Sequence, residues 1–318
     1  MTDAQPRILV VGEALVDVVP GPEGTTRDHP GGSPANVAIT LGRLGRDVRL
    51  VTLLGDDQRG AAVRAWLEAS DVTVLAGPTG SGRTSTAAVS LDASGAATYD
   101  FDLDWDLRSV PDEPCDVLHV GSIATVLDPG AEAVVEAFRR HRGRALLSLD
   151  PNARPAITPD RAGPVARVEE LVALADVVKV SDEDLHWLHP DHDPVATATR
   201  WADAGPALVV VTRGGAGAVA VRPGGHVLEV PGVPVAVADT VGAGDTFSGV
   251  LVDALLAHGV RGAGAGEALR ALTDRDLLEV VTTAAVGAAI NVSRPGADPP
   301  TRAELSAALG VDPEAGQE

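Results

Sequence analysis

The sequence has few of the features that mark secreted or membrane proteins. Its 318 residues contain a single cysteine, Cys115, so no disulfide can form within the chain. No stretch approaches the ~20 apolar residues that a membrane span needs. The first residues show neither the basic start nor the cleavage-site pattern of a signal peptide. We therefore expect a cytoplasmic protein with no membrane partner.

Net charge and aromatic content argue against a protein that binds nucleic acid. The formal net charge is −20, because 45 acidic residues outnumber 25 basic ones, and an acidic surface repels phosphate backbones. Aromatic residues make up 3% of the chain, too few for a surface on which bases stack. The sequence thus predicts no nucleic-acid partner. Among the basic residues only Lys179 is a lysine, an imbalance more typical of codon usage than of function.

Strand-like apolar runs alternate along the chain with segments of helical spacing, and this alternation predicts an α/β fold. The runs typical of strands in this pattern are 8–12, 14–19, 48–54, 72–76, 117–120, 145–149, 177–180 and 208–211. Segments with helical spacing separate most of them, as in sheets whose strands are parallel. We expect a single domain over residues 1–318, with a doubly wound, mostly parallel central sheet flanked by helices. The polar tail 312–318 should be frayed.

A small β-sheet lid is expected beside the main sheet. Residues 84–91 and 96–101 alternate between apolar and polar side chains around a turn, which predicts a hairpin. Residues 21–30 are interpreted as a loop. The lid would be built from about residues 14–30 and 84–107. Trp105 could either close over a ligand or make an apolar contact.

The segment Gly31-Gly32-Ser33-Pro34 predicts the start of a helix. Ser33 suits the N-cap and Pro34 the first helical position. Apolar residues then continue at helical spacing to Gly45.

Segment 239–249 carries the strongest chemical signal. Gly242 and Gly244 bracket a helix start, where exposed backbone N–H groups and the helix dipole bind anions. Asp245 would repel a static phosphate, but it could accept a proton from a hydroxyl that attacks one. Phosphoryl transfer suits this pairing, since it needs positioning and charge neutralisation. The alternative is that Asp245 only caps the helix.

This segment resembles the second signature of the ribokinase (PfkB) family of carbohydrate kinases. Residues 31–36, followed by 41–45, resemble the first signature. Further segments that match the family are Gly12-Glu13 with Asp17, and residues 150–154, 179–181, 212–217 and 294–297. Two signatures in the correct order are far more specific than one. The form of these motifs is most like that of fructokinases.

The resemblance implies transfer of the ATP γ-phosphate to a primary hydroxyl of a sugar. Asp245 matches the catalytic base, and the backbone of Gly242, Ala243 and Gly244 matches the anion hole. The positions that match sugar-binding residues are Asp17, Gly31, Gly32, Asn36 and Arg154. A carboxylate and an amide can hold several hydroxyls, and glycines let a polyol approach the backbone. Taken alone, Asp17 could be a turn residue and Arg154 a partner in a surface salt bridge.

The nucleotide and metal positions are also implied by the resemblance. Thr212, Gly214, Gly217 and Asn291 match neighbours of the ATP site, although Asn291 could instead be a helix C-cap. Asp184 matches a residue that contacts Mg²⁺ through water, and Ser181 stands where many relatives have an amide. Ser181 alone suits a helix N-cap. A K⁺ site is implied at Asp239, Val241, Arg294 and Gly296.

D-fructose is the first substrate expected, with fructose 6-phosphate as product. The alternatives within the fold are 2-keto-3-deoxygluconate kinase, ribokinase and nucleoside kinase, the last disfavoured by the few aromatic residues. A non-catalytic sugar-binding regulator is the alternative of another class, but Gly242, Gly244 and Asp245 are all present. An unpaired lid edge could pair with a second lid in a homodimer.

Overall fold

A nine-stranded sheet and a four-stranded sheet make up the β-structure of the part of the chain described by the computed structural model, residues 5–21, 25–91 and 97–311. The strands are β1 (Arg7–Val11), β2 (Leu15–Pro20), β3 (Thr26–Gly31), β4 (Asp47–Leu54), β5 (Val72–Pro78), β6 (Thr86–Leu91), β7 (Ala97–Asp102), β8 (Val117–Gly121), β9 (Leu146–Asp150), β10 (Val177–Ser181), β11 (Leu208–Thr212), β12 (Ala218–Arg222) and β13 (His226–Val230). The predicted turn 92–95 and the tail 312–318 lie outside the described residues.

Ten helices accompany these strands in the same part of the chain. They are α1 (Ser33–Arg43), α2 (Gln58–Glu68), α3 (Gly130–His141), α4 (Ala162–Leu174), α5 (Asp182–Leu188), α6 (Pro194–Ala204), α7 (Ala243–Ala257), α8 (Ala265–Ala271), α9 (Asp274–Val292) and α10 (Arg302–Leu309). Among the described residues, no helix combines the length and the apolar character needed to cross a membrane.

The main sheet is mostly parallel and doubly wound, as the sequence predicts. Its strand order is β13-β12-β11-β10-β9-β8-β1-β4-β5, and only β12 and β13 run antiparallel to their neighbours. The chain leaves β1 on the β4 side and later returns to β8 on the other side. A crevice therefore opens at the carboxyl ends of β1 and β8, where ligands bind in sheets of this kind.

Alternating side chains of the strands feed two apolar layers, one on each face of the main sheet. Ile8 and Val10 of β1 face the layer that holds α1, α7 and α9. Leu9 and Val11 face the layer that holds α3, α4 and α6. The strands β8 and β9 are buried along their whole length. Because both faces are covered, these strands are mostly apolar, and their buried polar side chains His119 and Ser148 bond to each other at 3.0 Å.

The small sheet has the order β3-β2-β6-β7. The prediction of a loop over residues 21–30 is wrong for its second half, because β3 pairs antiparallel with β2 from Thr26 to Gly31. Four of the six β3 residues are exposed, so no apolar alternation marks this strand in the sequence. The predicted hairpin is confirmed as β6 paired with β7.

Trp105 lies outside the small sheet, since β7 ends at Asp102. Its side chain is buried in the apolar layer beside α3. A side chain at Gly130, the first residue of α3, would collide with the Trp105 ring. The structure therefore assigns Trp105 an apolar contact within the core rather than a position over a ligand.

Candidate active site

The side chain of Asp245 is buried near the start of α7, with 7% of its surface exposed. The helix begins after Gly242, which has a φ of 73° and no room for a side chain, because a Cβ there would collide with Ala297. Asp245 is the third residue of the helix. The alternative that it is only the cap is therefore wrong. The N–H of Ala243 donates to the carbonyl of Thr240 at 3.3 Å.

Three neutral side chains hold the Asp245 carboxylate. Ser33 Oγ donates to Oδ1 at 2.7 Å, and Asn36 Nδ2 donates to Oδ2 at 2.7 Å. Asn152 Nδ2 donates to Ser33 Oγ at 2.7 Å and reaches Oδ1 at 3.3 Å. Burial raises the pKa of Asp245, the bonds from Asn36 and Ser33 oppose that rise, and Asp150 adds to it. The result is a carboxylate without a directly bound cation in the described structure.

Ser33 corrects one prediction about the first signature. The N-cap of α1 is Gly32, with a φ of 110°, and Ser33 is the first helical residue. Its hydroxyl therefore does not cap α1 and instead donates to Asp245, which lies 212 residues away in sequence. Sequence reasoning named the segment but neither Ser33 nor Asn152 as site residues.

Asp17, Gly31 and Gly32 lie side by side where the small sheet meets α1. A side chain at residue 31 would collide with Asp17 Oδ2, and one at residue 32 would come within 2.6 Å of the Glu13 carbonyl oxygen. Asp17 is half-buried and pairs in register with His29. Burial raises the pKa of Asp17, and the neighbouring His29 and Arg154 oppose the rise. The two glycines bring the start of α1 close to this carboxylate.

Glu13 is a buried acid that sequence reasoning did not name as a site residue. It follows β1 at the crevice, and its Oε2 atom has no hydrogen-bond partner. Burial raises the pKa of Glu13 to about 7, while a hydrogen bond from Ser122 and the charge of Arg154 oppose the rise. Nearby Asp245 raises it further. The sequence signal for Glu13 is its place in the Gly12-Glu13 pair, which matches the family.

Arg154 is exposed and lies among the acids of the site. Its Nη1 donates to Asn152 Oδ1 at 2.6 Å and to the Ala153 carbonyl at 3.1 Å. Burial raises the pKa values of four nearby carboxyl groups, and the positive charge of Arg154 opposes each rise. These groups belong to Glu13, Asp17, Asp184 and Asp245. Arg154 has no salt-bridge partner within the described ranges, so the surface salt bridge considered for it is absent there.

Asp184 and Ser181 form the capping box of α5, as the N-cap prediction for Ser181 requires. Ser181 Oγ accepts the Asp184 N–H at 2.9 Å, and Asp184 Oδ1 accepts the N–H of Ala153 at 3.0 Å. Burial raises the pKa of Asp184, and so does the charge of Asp150. Asp184 thereby joins α5 to the loop that carries Arg154.

The four predicted nucleotide positions surround the ends of β11 and α9. Thr212 ends β11 in register with Ser181, and Gly214 and Gly217 follow it with φ values of 50° and 94°. Asn291 is fully buried, and its Nδ2 donates to the Val241 carbonyl at 2.8 Å. The alternative that Asn291 is a C-cap is wrong, because Ser293 caps α9.

Asp239, Val241, Arg294 and Gly296 lie together beside Asn291. Asp239 Oδ1 accepts the Val241 N–H at 3.0 Å, and Oδ2 accepts the Gly296 N–H at 2.8 Å. These bonds lower the pKa of Asp239. Arg294 pairs with Asp298 and Glu304. Within the described residues, no group of three or more His, Cys, Asp or Glu side chains is arranged to hold a metal ion.

Comparison with known proteins identifies the family. The model of the pfkB family carbohydrate kinases matches residues 5–304. The chain belongs to this family. As a pfkB-family member it is a phosphotransferase that acts on a sugar hydroxyl.

Named relatives of this pfkB-family chain include fructokinases. The chain is 38% identical to the fructokinase of Rhizobium leguminosarum bv. trifolii over 261 residues, 77% of this chain and 78% of that protein. It is similar to the crystal structure of fructokinase with bound ATP from Xylella fastidiosa, with 27% identity, a TM-score of 0.87, and coverage of 96% and 98% of the two chains. A double mutant of fructokinase from Vibrio cholerae O395, with fructose, ADP and potassium ion bound, gives 28% identity, a TM-score of 0.81, and coverage of 97% and 100%.

Proposed function

We propose that this chain transfers the γ-phosphoryl group of ATP to the 6-hydroxyl of D-fructose. The observation that carries the proposal is the Asp245 carboxylate, buried beside a helix start and held by neutral donors. The choice of fructose and ATP rests on the fructokinases among the relatives, one with ATP bound and one with fructose and ADP bound.

Asp245 would act as the proton acceptor. As the sugar oxygen bonds to the γ-phosphorus, the bond from that phosphorus to ADP breaks, and the hydroxyl proton passes to a carboxylate oxygen of Asp245. Ser33, Asn36 and Asn152 hold those oxygens in position. No salt bridge has to break when the proton arrives.

The backbone of Gly242, Ala243 and Gly244 would stabilise the negative charge of the transferred group. N–H groups in the first turn of a helix have no partner inside the helix, and the helix dipole adds positive potential there. The Ala243 N–H already contacts the Thr240 carbonyl, so Gly244 is the better placed donor.

The sugar would lie between the small sheet and the carboxyl end of the main sheet. Asp17, Gly31 and Gly32 bound this space on one side, and Arg154 on the other. Asn36 Oδ1 is buried without a hydrogen-bond partner in the described structure, while its Nδ2 holds Asp245. A sugar hydroxyl that donates to Oδ1 would satisfy this acceptor and lie beside the base.

The nucleotide would bind across the ends of β11 and α9, at Thr212, Gly214, Gly217 and Asn291. Thr212 is the last residue of β11, and nucleotides bind at the carboxyl ends of strands in open sheets. The positive φ values of Gly214 and Gly217 shape the turn that follows. Asn291 Oδ1 is a buried acceptor that has no partner in the described residues.

Residues of the site suit two metal ions, Mg²⁺ and K⁺, that would assist phosphoryl transfer. Asp184 would hold Mg²⁺ through water, because each of its oxygens accepts one backbone N–H and keeps a further lone pair. Bound Mg²⁺ would neutralise phosphate charge. A K⁺ ion would rest against Asp239, Val241, Arg294 and Gly296, where Asp239 supplies the negative charge.

A panel of acceptors tests the function. Purified protein is mixed with Mg-ATP and D-fructose, D-ribose, 2-keto-3-deoxygluconate or adenosine, and ADP release is followed. We expect the highest kcat/KM with D-fructose and formation of fructose 6-phosphate. A higher kcat/KM with another acceptor would reassign the substrate. Absence of ADP release with every acceptor, despite sugar binding, would favour a non-catalytic regulator.

We also propose a homodimer through the small sheet, in which β3 and β7 are the edge strands. Light scattering of the purified protein tests it, and a monomer at all concentrations would reject it. A cytoplasmic location stays a prediction.

A further inference from the structure

Lys179 is the single lysine among 25 basic residues, and it lies on β10 in the interior of the main sheet. Only 5% of its side chain is exposed. Arginine occupies the other 24 basic positions. A position that keeps lysine in such a chain is one where a compact ammonium and a planar guanidinium are not interchangeable.

The Lys179 ammonium is fixed by a buried ion pair. Its Nζ lies 3.0 Å from Asp150 Oδ2, and Asp150 is 1% exposed. Ser248 Oγ on α7 donates to the same carboxylate oxygen at 2.9 Å. The other oxygen, Asp150 Oδ1, is buried without a partner in the described structure. The pair thus links β9, β10 and α7.

The ammonium is close to the glycine turn at the start of α7. A Cβ at Gly244 would come within 2.9 Å of Lys179 Nζ. Burial opposes the charge of Lys179, but Asp150, Asp184 and Asp245 together raise its pKa above the ordinary value. The group is therefore an ammonium at neutral pH.

The ion pair is oriented along the helix. The ammonium lies at Gly244, whereas the carboxylate is bonded to Ser248, about one helical turn further along α7. The positive end of the pair therefore points to the same place as the positive end of the helix dipole. Both act on whatever anion occupies the turn.

We propose that Lys179 is a positioning residue whose ammonium, fixed by Asp150 beneath the Gly242–Gly244 turn, supplies a permanent positive charge to the phosphoryl group being transferred. This rests on the proposed function. The charge is in place before the reaction, so no reorganisation is needed as negative charge develops on the phosphoryl oxygens. Lys179 acts through the turn, and in the described structure its ammonium makes a hydrogen bond and salt bridge to Asp150 rather than to the side chains predicted to bind sugar.

A purely structural role is the competing explanation, and three variants separate the two. They are Lys179→Met, Asp150→Asn and the double variant that carries both changes. A structural role predicts that the double variant recovers activity, because no unpaired charge stays buried. Our proposal predicts that turnover follows the ammonium rather than the integrity of the pair.

We expect kcat to fall about 100-fold in Lys179→Met and by the same factor in the double variant, as when one fixed donor to a transition-state charge is removed. Asp150→Asn should lose about tenfold or less. KM for the sugar should stay within about twofold in all three, with thermal melting used to correct for the folded fraction. Recovery of kcat in the double variant to near the wild-type value would overturn the proposal.

Nucleotide affinity gives a readout without turnover. ATP and ADP are titrated calorimetrically into wild type and Lys179→Met in the absence of sugar. Because only ATP places a phosphoryl group at the turn, the variant should lose about fivefold more affinity for ATP than for ADP. Equal losses for both nucleotides would refute the role of Lys179. Wild type that binds neither nucleotide would instead refute the proposed function.

Discussion

Helix α7 carries two buried aspartates whose partners differ. Asp253, with 2% of its surface exposed, lies between two cations: Arg46 Nε donates to it at 2.6 Å and Arg302 Nη1 at 2.8 Å. Asp245, with 7% exposed, is held by the hydroxyl of Ser33 and the amides of Asn36 and Asn152. The two residues lie two turns apart on one helix.

The difference separates stability from chemistry. Arg46 and Arg302 both pair with Asp253, whose carboxylate joins α7 to the segment between α1 and β4 and to α10. Neutral donors orient Asp245 equally well, yet they leave it able to take up a proton without breaking a salt bridge. A buried carboxylate can therefore serve as a base where its partners are dipoles, and as a structural anchor where its partners are charges.

The largest effect expected on this comparison comes from Asp245→Asn. The amide keeps the shape of the side chain but cannot accept the hydroxyl proton, so kcat should fall about 100- to 10,000-fold. The melting temperature should hold or rise, because burial already disfavours the charge at this position. Steady-state kinetics with fructose and ATP, beside a thermal melt, measure both. Retention of most of the turnover would remove the base assignment.

Asp253→Asn is the matched control on the same helix. It leaves Arg46 and Arg302, which are 18% and 43% exposed, without their charged partner, and the free energy of unfolding should fall by about 2 kcal/mol. Turnover per folded molecule should not change. Urea unfolding measures the free energy of unfolding, and steady-state kinetics corrected for the folded fraction measure turnover per folded molecule. A loss of kcat as large as that of Asp245→Asn would show that the contrast between the two aspartates is not one of function.

Glu13→Gln sharpens the comparison with a third buried acid that has no bound cation in the described structure. In the unfolded chain Glu13 ionises near 4.5, and in the fold near 7. Between these values the folded state holds the extra proton, so the free energy of unfolding should fall as pH rises. The fall is about 3 kcal/mol and is complete above pH 7.

The glutamine variant should lack this component of the pH dependence. Urea unfolding of both proteins at several values between pH 4.5 and 8 measures it, and the difference between the two curves isolates Glu13 from the other acids. Parallel curves would mean that Glu13 ionises in the fold near its ordinary value.

Local patterns predicted the elements well but not how they meet. The central strands of the main sheet appear in the sequence as short apolar runs, because both faces of each strand are buried, and the helices appear as apolar residues at helical spacing. Strand β3 does not, since four of its six residues are exposed, and it is held by pairing with β2 and by the salt bridge from Arg59 of α2 to Asp28. Pairing between strands depends on tertiary contacts, so the sequence of a single polar strand does not reveal its partner.

The candidate site shows the same limit. The glycine turn and Asp245 are contiguous in sequence, so their chemistry could be inferred from one segment. Ser33 and Asn152 are 212 and 93 residues from Asp245, and only the fold shows that they bond to it. Ser33 also suits a cap by local rules, but Gly32, with its positive φ, takes that place and releases the hydroxyl.

The single lysine has a practical consequence for measuring how the molecule opens. A protease that cleaves only after lysine has one target here, Lys179, in a strand with neighbours on both sides. The folded chain should resist it, and cleavage into 1–179 and 180–318 should occur only when the sheet separates at β10. At low protease the rate of that one cut therefore follows the population of molecules whose sheet centre is open, and at high protease it follows the rate of opening, without any label attached to the protein.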